Sequence, residues 1–124
     1  MKLMKPGTLF TIGGTLVAIY ALKLMMSSST PARLACDDMA AAELPEVVLY
    51  GTSWCSLCKK SRWFLEDNNI AYCEYDIESS TAGAAKYQQL DGRAIPLIMI
   101  GSQRVEGFNK ANISGALKRE GLLN

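Results

Sequence analysis

Histidine is absent from all 124 residues. No Ser-His-Asp or Cys-His nucleophile can be built from this chain, and no zinc site containing histidine. An excess of charge of either sign is also missing. The chain carries 13 Lys+Arg against 12 Asp+Glu, and the two signs are equal in number from Glu46 onward. No Lys/Arg cluster marks a phosphate-binding face, so nucleic acid is not an expected partner. Cysteine is sparse: Cys36, Cys55, Cys58 and Cys73 are too few and too irregularly spaced for a small disulfide-stapled scaffold. A four-thiolate zinc site wants a second close pair, and Cys36 and Cys73 stand far apart, so no bound metal is expected.

A long apolar run is present, at the amino terminus. Lys2 and Lys5 precede the uncharged stretch GTLFTIGGTLVAIYAL, Gly7 to Leu22, and Lys23 then interrupts before Leu24-Met25-Met26. This is the layout of a secretory signal or a short membrane anchor. A spanning helix wants about 20 apolar residues, which residues 7–26 supply if Lys23 snorkels to the interface. A buried soluble helix fits less well, because the stretch has no polar face. An uncleaved single-pass anchor is the favoured reading of residues 1–26; cleavage after the small residues Ser27 or Ser29 would instead release a secreted or periplasmic protein. The positive-inside rule places the following domain outside the cytoplasm. Residues 27–45, with a serine run, two prolines and Asp37-Asp38, read as a linker, and Cys36 within it as an exposed thiol.

From Glu46 the pattern alternates. Val47–Tyr50 is a short β-branched run suited to a buried strand. Ser56–Asn68 carries Leu57, Ser61, Phe64 and Leu65 at helical spacing and stops at Asn68-Asn69. Ile70–Ile77 alternates as a second strand. Ser79 or Ser80 caps a helix running to Leu90, which Asp91-Gly92 ends. Pro96–Ile100 and Gln103–Glu106 form strands around Gly101-Ser102, and Asn109 caps a last helix carrying Ile113, Ala116 and Leu117. The order β-α-β-α-β-β-α implies a right-handed parallel βαβ half and an antiparallel ββα half. The expected architecture is therefore α/β, a mixed four-stranded sheet flanked by helices over residues 46–124, preceded by the apolar amino-terminal helix.

Cys55-Ser56-Leu57-Cys58 stands at the end of the first strand of this βαβ pattern, the context of a thioredoxin-like redox motif. A sulfur just before a helix faces free backbone N–H groups and the positive end of the helix dipole. Both favour thiolate over thiol and make Cys55 the nucleophile. Cys58, one turn further in, is placed to resolve the mixed disulfide. Cys73, inside a strand, reads as a small buried hydrophobe. Trp54, beside the nucleophile, is assigned to the substrate-docking surface, whereas Trp63 reads as packing.

The stretch from Val47 to about Leu122 resembles the glutaredoxin family of the thioredoxin-like fold. The matching pieces are VVLY leading to WCSLC, the Ile95-Pro96 dipeptide before LIMI, and EGFNKANISGAL. The resemblance implies a cis Ile95–Pro96 bond facing the thiols, with Ile95 and Pro96 binding substrate backbone. It also implies a binding role for Gly107, Phe108 and Asn109, which stand where the family's Gly-Gly-x-Asp segment holds glutathione. Three departures bear on the partner: Thr52 replaces a lysine, Ser56-Leu57 replaces Pro-Tyr, and Glu106 adds a carboxylate near the glutathione site. Gly107-Phe108 is also similar to the Ser-Gly-Phe element of glutaredoxin-like redoxins reduced by thioredoxin reductase. The resemblance thus implies a disulfide oxidoreductase with no tightly bound cofactor. It would act on protein disulfides or glutathionylated proteins, and either glutathione or a thioredoxin-reductase-type protein would supply electrons. Two further readings stay open: a glutaredoxin that carries an iron–sulfur cluster, which Ser56 permits, and a non-catalytic docking domain.

Overall fold

The computed structural model describes residues 33–124 and, before them, Ala18 alone. The expected anchor at residues 1–26 otherwise lies outside the described residues. Among the described residues no helix is long and apolar enough to cross a membrane. Pro31–Asn124 forms one compact unit.

Among the described residues, five strands and three α-helices follow in order: β1 (Leu34–Ala35), β2 (Val47–Gly51), α1 (Ser56–Asp67), β3 (Tyr72–Asp76), α2 (Thr81–Gln89), β4 (Leu97–Ile100), β5 (Gln103–Glu106) and α3 (Lys110–Arg119). The sheet order is β1-β3-β2-β4-β5. β3 runs parallel to β2, β4 antiparallel to β2, and β5 antiparallel to β4. The two halves expected from the element order are both present.

Strand alternation distributes the core to two faces. Val47 and Leu49 of β2 with Ile98 and Ile100 of β4 meet Leu65 of α1 and Ile113 and Leu117 of α3. On the opposite face Tyr50, Cys73, Tyr75 and Leu97 gather with Tyr87 and Leu90 at the end of α2. α2 and α3 are capped as their sequences suggest: Ser80 accepts from the Gly83 N–H and Asn109 from the Asn112 N–H. Gly121, after α3, adopts φ +72, the left-handed conformation that glycine tolerates at a helix end.

Three expectations are corrected. The sheet has five strands, not four, because Leu34 and Ala35 pair in parallel with Cys73 and Glu74. The segment 27–45 is therefore not all linker; its 34–38 portion is built into the domain. Nor is Cys36 an exposed thiol, while Cys73 is buried as expected. They form a disulfide with Cα atoms 5.0 Å apart, and both are buried. The physical cause is the edge pairing, which brings the chain just after Ala35 alongside Cys73 although 37 residues separate the two cysteines. The Ser80 hydroxyl donates to Asp37 Oδ1 at 2.7 Å and ties the same segment to the start of α2.

Candidate functional site: a dithiol at a helix N-terminus

β2 delivers the chain to Cys55, which occupies the N-cap position of α1 with an extended backbone, φ −74 and ψ 115. Its Sγ accepts the backbone N–H of Cys58 at 3.1 Å, filling the role a serine or aspartate oxygen usually takes. Cys55 and Cys58 are joined as a disulfide with Cα atoms 5.2 Å apart. Cys55 is 7% exposed and Cys58 0%, so an incoming group meets Cys55 first. When the bond is reduced, the same N–H and the helix dipole favour negative charge on Cys55.

Gly51, the last residue of β2, is a participant that the sequence reading did not single out. A Cβ there would stand 2.8 Å from Cys58 Sγ and 3.1 Å from Leu49 Cδ2, so only glycine lets the strand end approach the thiol. The signal available in the sequence was a glycine closing a strand just before the motif.

The Ile95–Pro96 bond is cis, as the resemblance implied. Leu97 pairs with Tyr50, so Pro96, one residue earlier on the antiparallel neighbour, reaches the end of the sheet where Gly51 meets Cys58. Pro96 is fully buried, and its carbonyl accepts the Gly107 N–H at 2.8 Å. That bond fixes the turn before α3 to the proline. Gly107 adopts φ +73 with open space where a side chain would stand. Asn109 uses its side-chain oxygen to cap α3, accepting from Asn112 at 3.0 Å. Phe108 turns inward, packing edge-on against Phe64 of α1 with ring centroids 6.5 Å apart. Ile95 and Pro96 thus stand at the dithiol end of the sheet, with Gly107 tied to it through Pro96, while Phe108 is part of the packing between α1 and α3.

Trp54 and Leu57 flank the nucleophile and are 68% and 41% exposed. The Trp54 indole N–H donates to both carboxylate oxygens of Glu78, at 3.0 and 3.1 Å. Glu78 is a second residue the sequence reading missed; it lies in the turn after β3, and nothing in its local sequence announces the contact. Trp63, expected as packing, is more than half exposed, with Lys59 Nζ 4.8 Å over its ring.

Beneath the motif Arg62, one turn beyond Cys58 on α1, is buried and bonded to Glu74 at 3.0 Å. Burial pushes the Glu74 carboxyl up from the ordinary range, opposed by the Arg62 and Arg33 guanidiniums. Thr52, which stands where the family's lysine would, is buried.

A thioredoxin-like α/β sheet with a dithiol at the first helix N-terminus and a cis-proline beside it defines a class, the thiol–disulfide exchange folds. Within that class, residues 47–105 match the family described as Glutaredoxin. The chain is 26% identical over 74 residues to an uncharacterized glutaredoxin-like 8.6 kDa protein of the rubredoxin operon of Clostridium pasteurianum, covering 59% of this chain and 99% of that protein. Among solved structures, the thioredoxin-like protein BC3987 is similar with TM-score 0.54 and 26% identity, over 57% of this chain and 99% of that one. A glutaredoxin from Archaeoglobus fulgidus shares the fold with TM-score 0.54 at 20% identity, over 62% and 90% of the two chains. Residues 47–105 are thus similar to glutaredoxins, and the fold is thioredoxin-like, consistent with thiol–disulfide oxidoreductase chemistry.

Proposed function

We propose that the protein is a dithiol–disulfide oxidoreductase acting through Cys55 and Cys58. The observation that carries the reading is the position of Cys55 as the cap of α1, its sulfur accepting the Cys58 N–H. In the reducing direction the Cys55 thiolate attacks one sulfur of a substrate disulfide. The substrate S–S bond breaks, a mixed disulfide forms, and the departing thiolate takes a proton from water. Cys58 then loses its proton to water and attacks Cys55 Sγ, releasing the second substrate thiol. Two electrons have passed to the substrate, and the enzyme holds the Cys55–Cys58 disulfide.

Protein disulfides and glutathione mixed disulfides are the substrate classes. Glutathione or a thioredoxin-reductase-type protein is the electron donor, with glutathione entering as a co-substrate. Ile95 and Pro96 would receive the substrate's backbone, with Gly107 and Asn109 beside them. Turnover of the full-length chain on a glutathionylated peptide and on an intact protein disulfide tests the assignment. Exchange on at least one is expected; a folded protein inactive on both would overturn it.

The domain is proposed to work outside the cytoplasm, tethered by residues 7–26. The buried Cys36–Cys73 disulfide supports this, because structural disulfides persist in oxidising compartments and are rare in reducing ones. Alkylation of Cys55 in intact cells with a membrane-impermeant thiol reagent, after mild reduction, is the test. Labelling only after lysis would place the domain in the cytoplasm.

A further inference from the structure

Trp63 stands on α1 with 55% of its surface in water. A large apolar ring left in water forfeits the free energy that covering it would release. Its surroundings form a groove of about 380 Å³ between α1 and the start of α3, lined by Lys60, Trp63, Phe64, Asp67, Phe108 and Lys110. The first four share one face of α1, because positions 60, 63, 64 and 67 recur at helical spacing. Phe64 and Phe108 are half-buried and meet edge-on with ring centroids 6.5 Å apart, which gives the groove an aromatic floor. Lys59 Nζ lies 4.8 Å over the Trp63 ring, and this cation–π contact restrains the indole before anything binds.

The charges around that floor have one prevailing sign. Lys59, Lys60 and Lys110 are exposed, whereas Asp67 is the one carboxylate among the lining residues. Among the described residues none of the three lysines is paired with a carboxylate. A recessed apolar surface ringed by free ammonium groups is complementary to an apolar side chain flanked by carboxylates. An anionic lipid surface suits the groove less well: its phosphates would lie against Asp67, whereas a polypeptide brings backbone N–H groups that Asp67 can accept. The groove is also apart from the reacting sulfurs. The rise of α1 sets Trp63 about 12 Å along the axis from Cys55, so an occupant leaves Cys55 open.

We propose that this flank of α1, with the start of α3, docks an acidic polypeptide segment that carries a large apolar side chain. The side chain fills the space between Trp63 and Phe108, and its acidic neighbours pair with Lys60 and Lys110. A partner protein is thereby held on the helix that carries the dithiol without touching the exchanging disulfide. The surface stands independently of the exchange chemistry.

Fluorescence anisotropy of short dye-labelled peptides, titrated with the full-length chain, tests the proposal. One peptide sets Phe among Glu residues, a second sets Phe among Lys, and a third sets Gly among Glu. The first should bind about tenfold more tightly than the other two, and its affinity should fall as salt rises. Trp63→Ala should weaken it about tenfold. Lys60→Glu combined with Lys110→Glu should transfer the preference to the Phe–Lys peptide, a gain that a misfolded variant cannot show. Equal binding of all three peptides would overturn the proposal, as would a Trp63→Ala variant that binds like wild type. So would association with phosphatidylglycerol vesicles, or self-association in sedimentation velocity, that Trp63→Ala abolishes while the Phe–Glu peptide does not bind.

Discussion

The backbone N–H of Cys58 donates to Cys55 Sγ at 3.1 Å, so the nucleophile is also the cap of its own helix. The same bond that terminates α1 stabilises charge on the sulfur when the disulfide opens. Reduced protein treated with iodoacetamide at neutral pH should lose Cys55 first, with Cys58 protected by burial. Peptide mapping by mass spectrometry reads the order; preferential labelling of Cys58 would reverse the assigned roles.

Gly51 should not tolerate a side chain. In Gly51→Ala the new methyl would stand 2.8 Å from Cys58 Sγ, and the strand end or the first turn of α1 must shift. A destabilisation of about 1–3 kcal/mol is expected from overpacking, with slower closure of the Cys55–Cys58 bond. Urea unfolding and the rate of reoxidation measure the two effects separately.

The Cys36–Cys73 bond has a different office from Cys55–Cys58. Both of its cysteines are buried, and it closes a loop of 37 residues' separation, worth about 4 kcal/mol on the chain-entropy account. The double variant Cys36→Ser, Cys73→Ser should lose about 2–4 kcal/mol of stability while Cys55–Cys58 still exchanges. Under native conditions dithiothreitol should open Cys55–Cys58 well before Cys36–Cys73, as thiol alkylation followed by mass spectrometry would show.

Glu74 makes stability depend on pH with a definite sign. Burial raises its carboxyl above the ordinary range, so between the unfolded value and the raised folded one the native state binds more protons than the unfolded chain. Its contribution is fully present below the unfolded value and is lost as pH rises through the folded one. Arg62→Leu removes the partner at 3.0 Å, should steepen that loss, and should cost about 3–5 kcal/mol at neutral pH. Denaturant midpoints across the carboxylate range check both statements.

Much of the domain from Val47 onward is written locally. The strand Val47–Gly51, the capped helices and the turn at Gly101 follow from periodicity and cap residues close in sequence, and so does Cys55 at a strand–helix junction. The Ile95–Pro96 role came from resemblance, since a proline before a strand has an ordinary explanation of its own. What stayed hidden depends on contacts far apart in the chain. A two-residue strand such as Leu34–Ala35 has no period to detect, and only its pairing with β3 gives Cys36 a partner. The Trp54–Glu78 bond spans 24 residues and ends in a turn, where side-chain direction is not encoded by any repeat.

The central claim is that Cys55 receives the substrate and Cys58 releases it. It is tested most directly by incubating the reduced Cys58→Ser variant of the full-length chain with a disulfide-bridged peptide and mapping the adduct by mass spectrometry. A peptide disulfide-linked to Cys55, which accumulates and is absent from the wild type, is the predicted result. No adduct, or an adduct on another cysteine while Cys55 stays free, would contradict it.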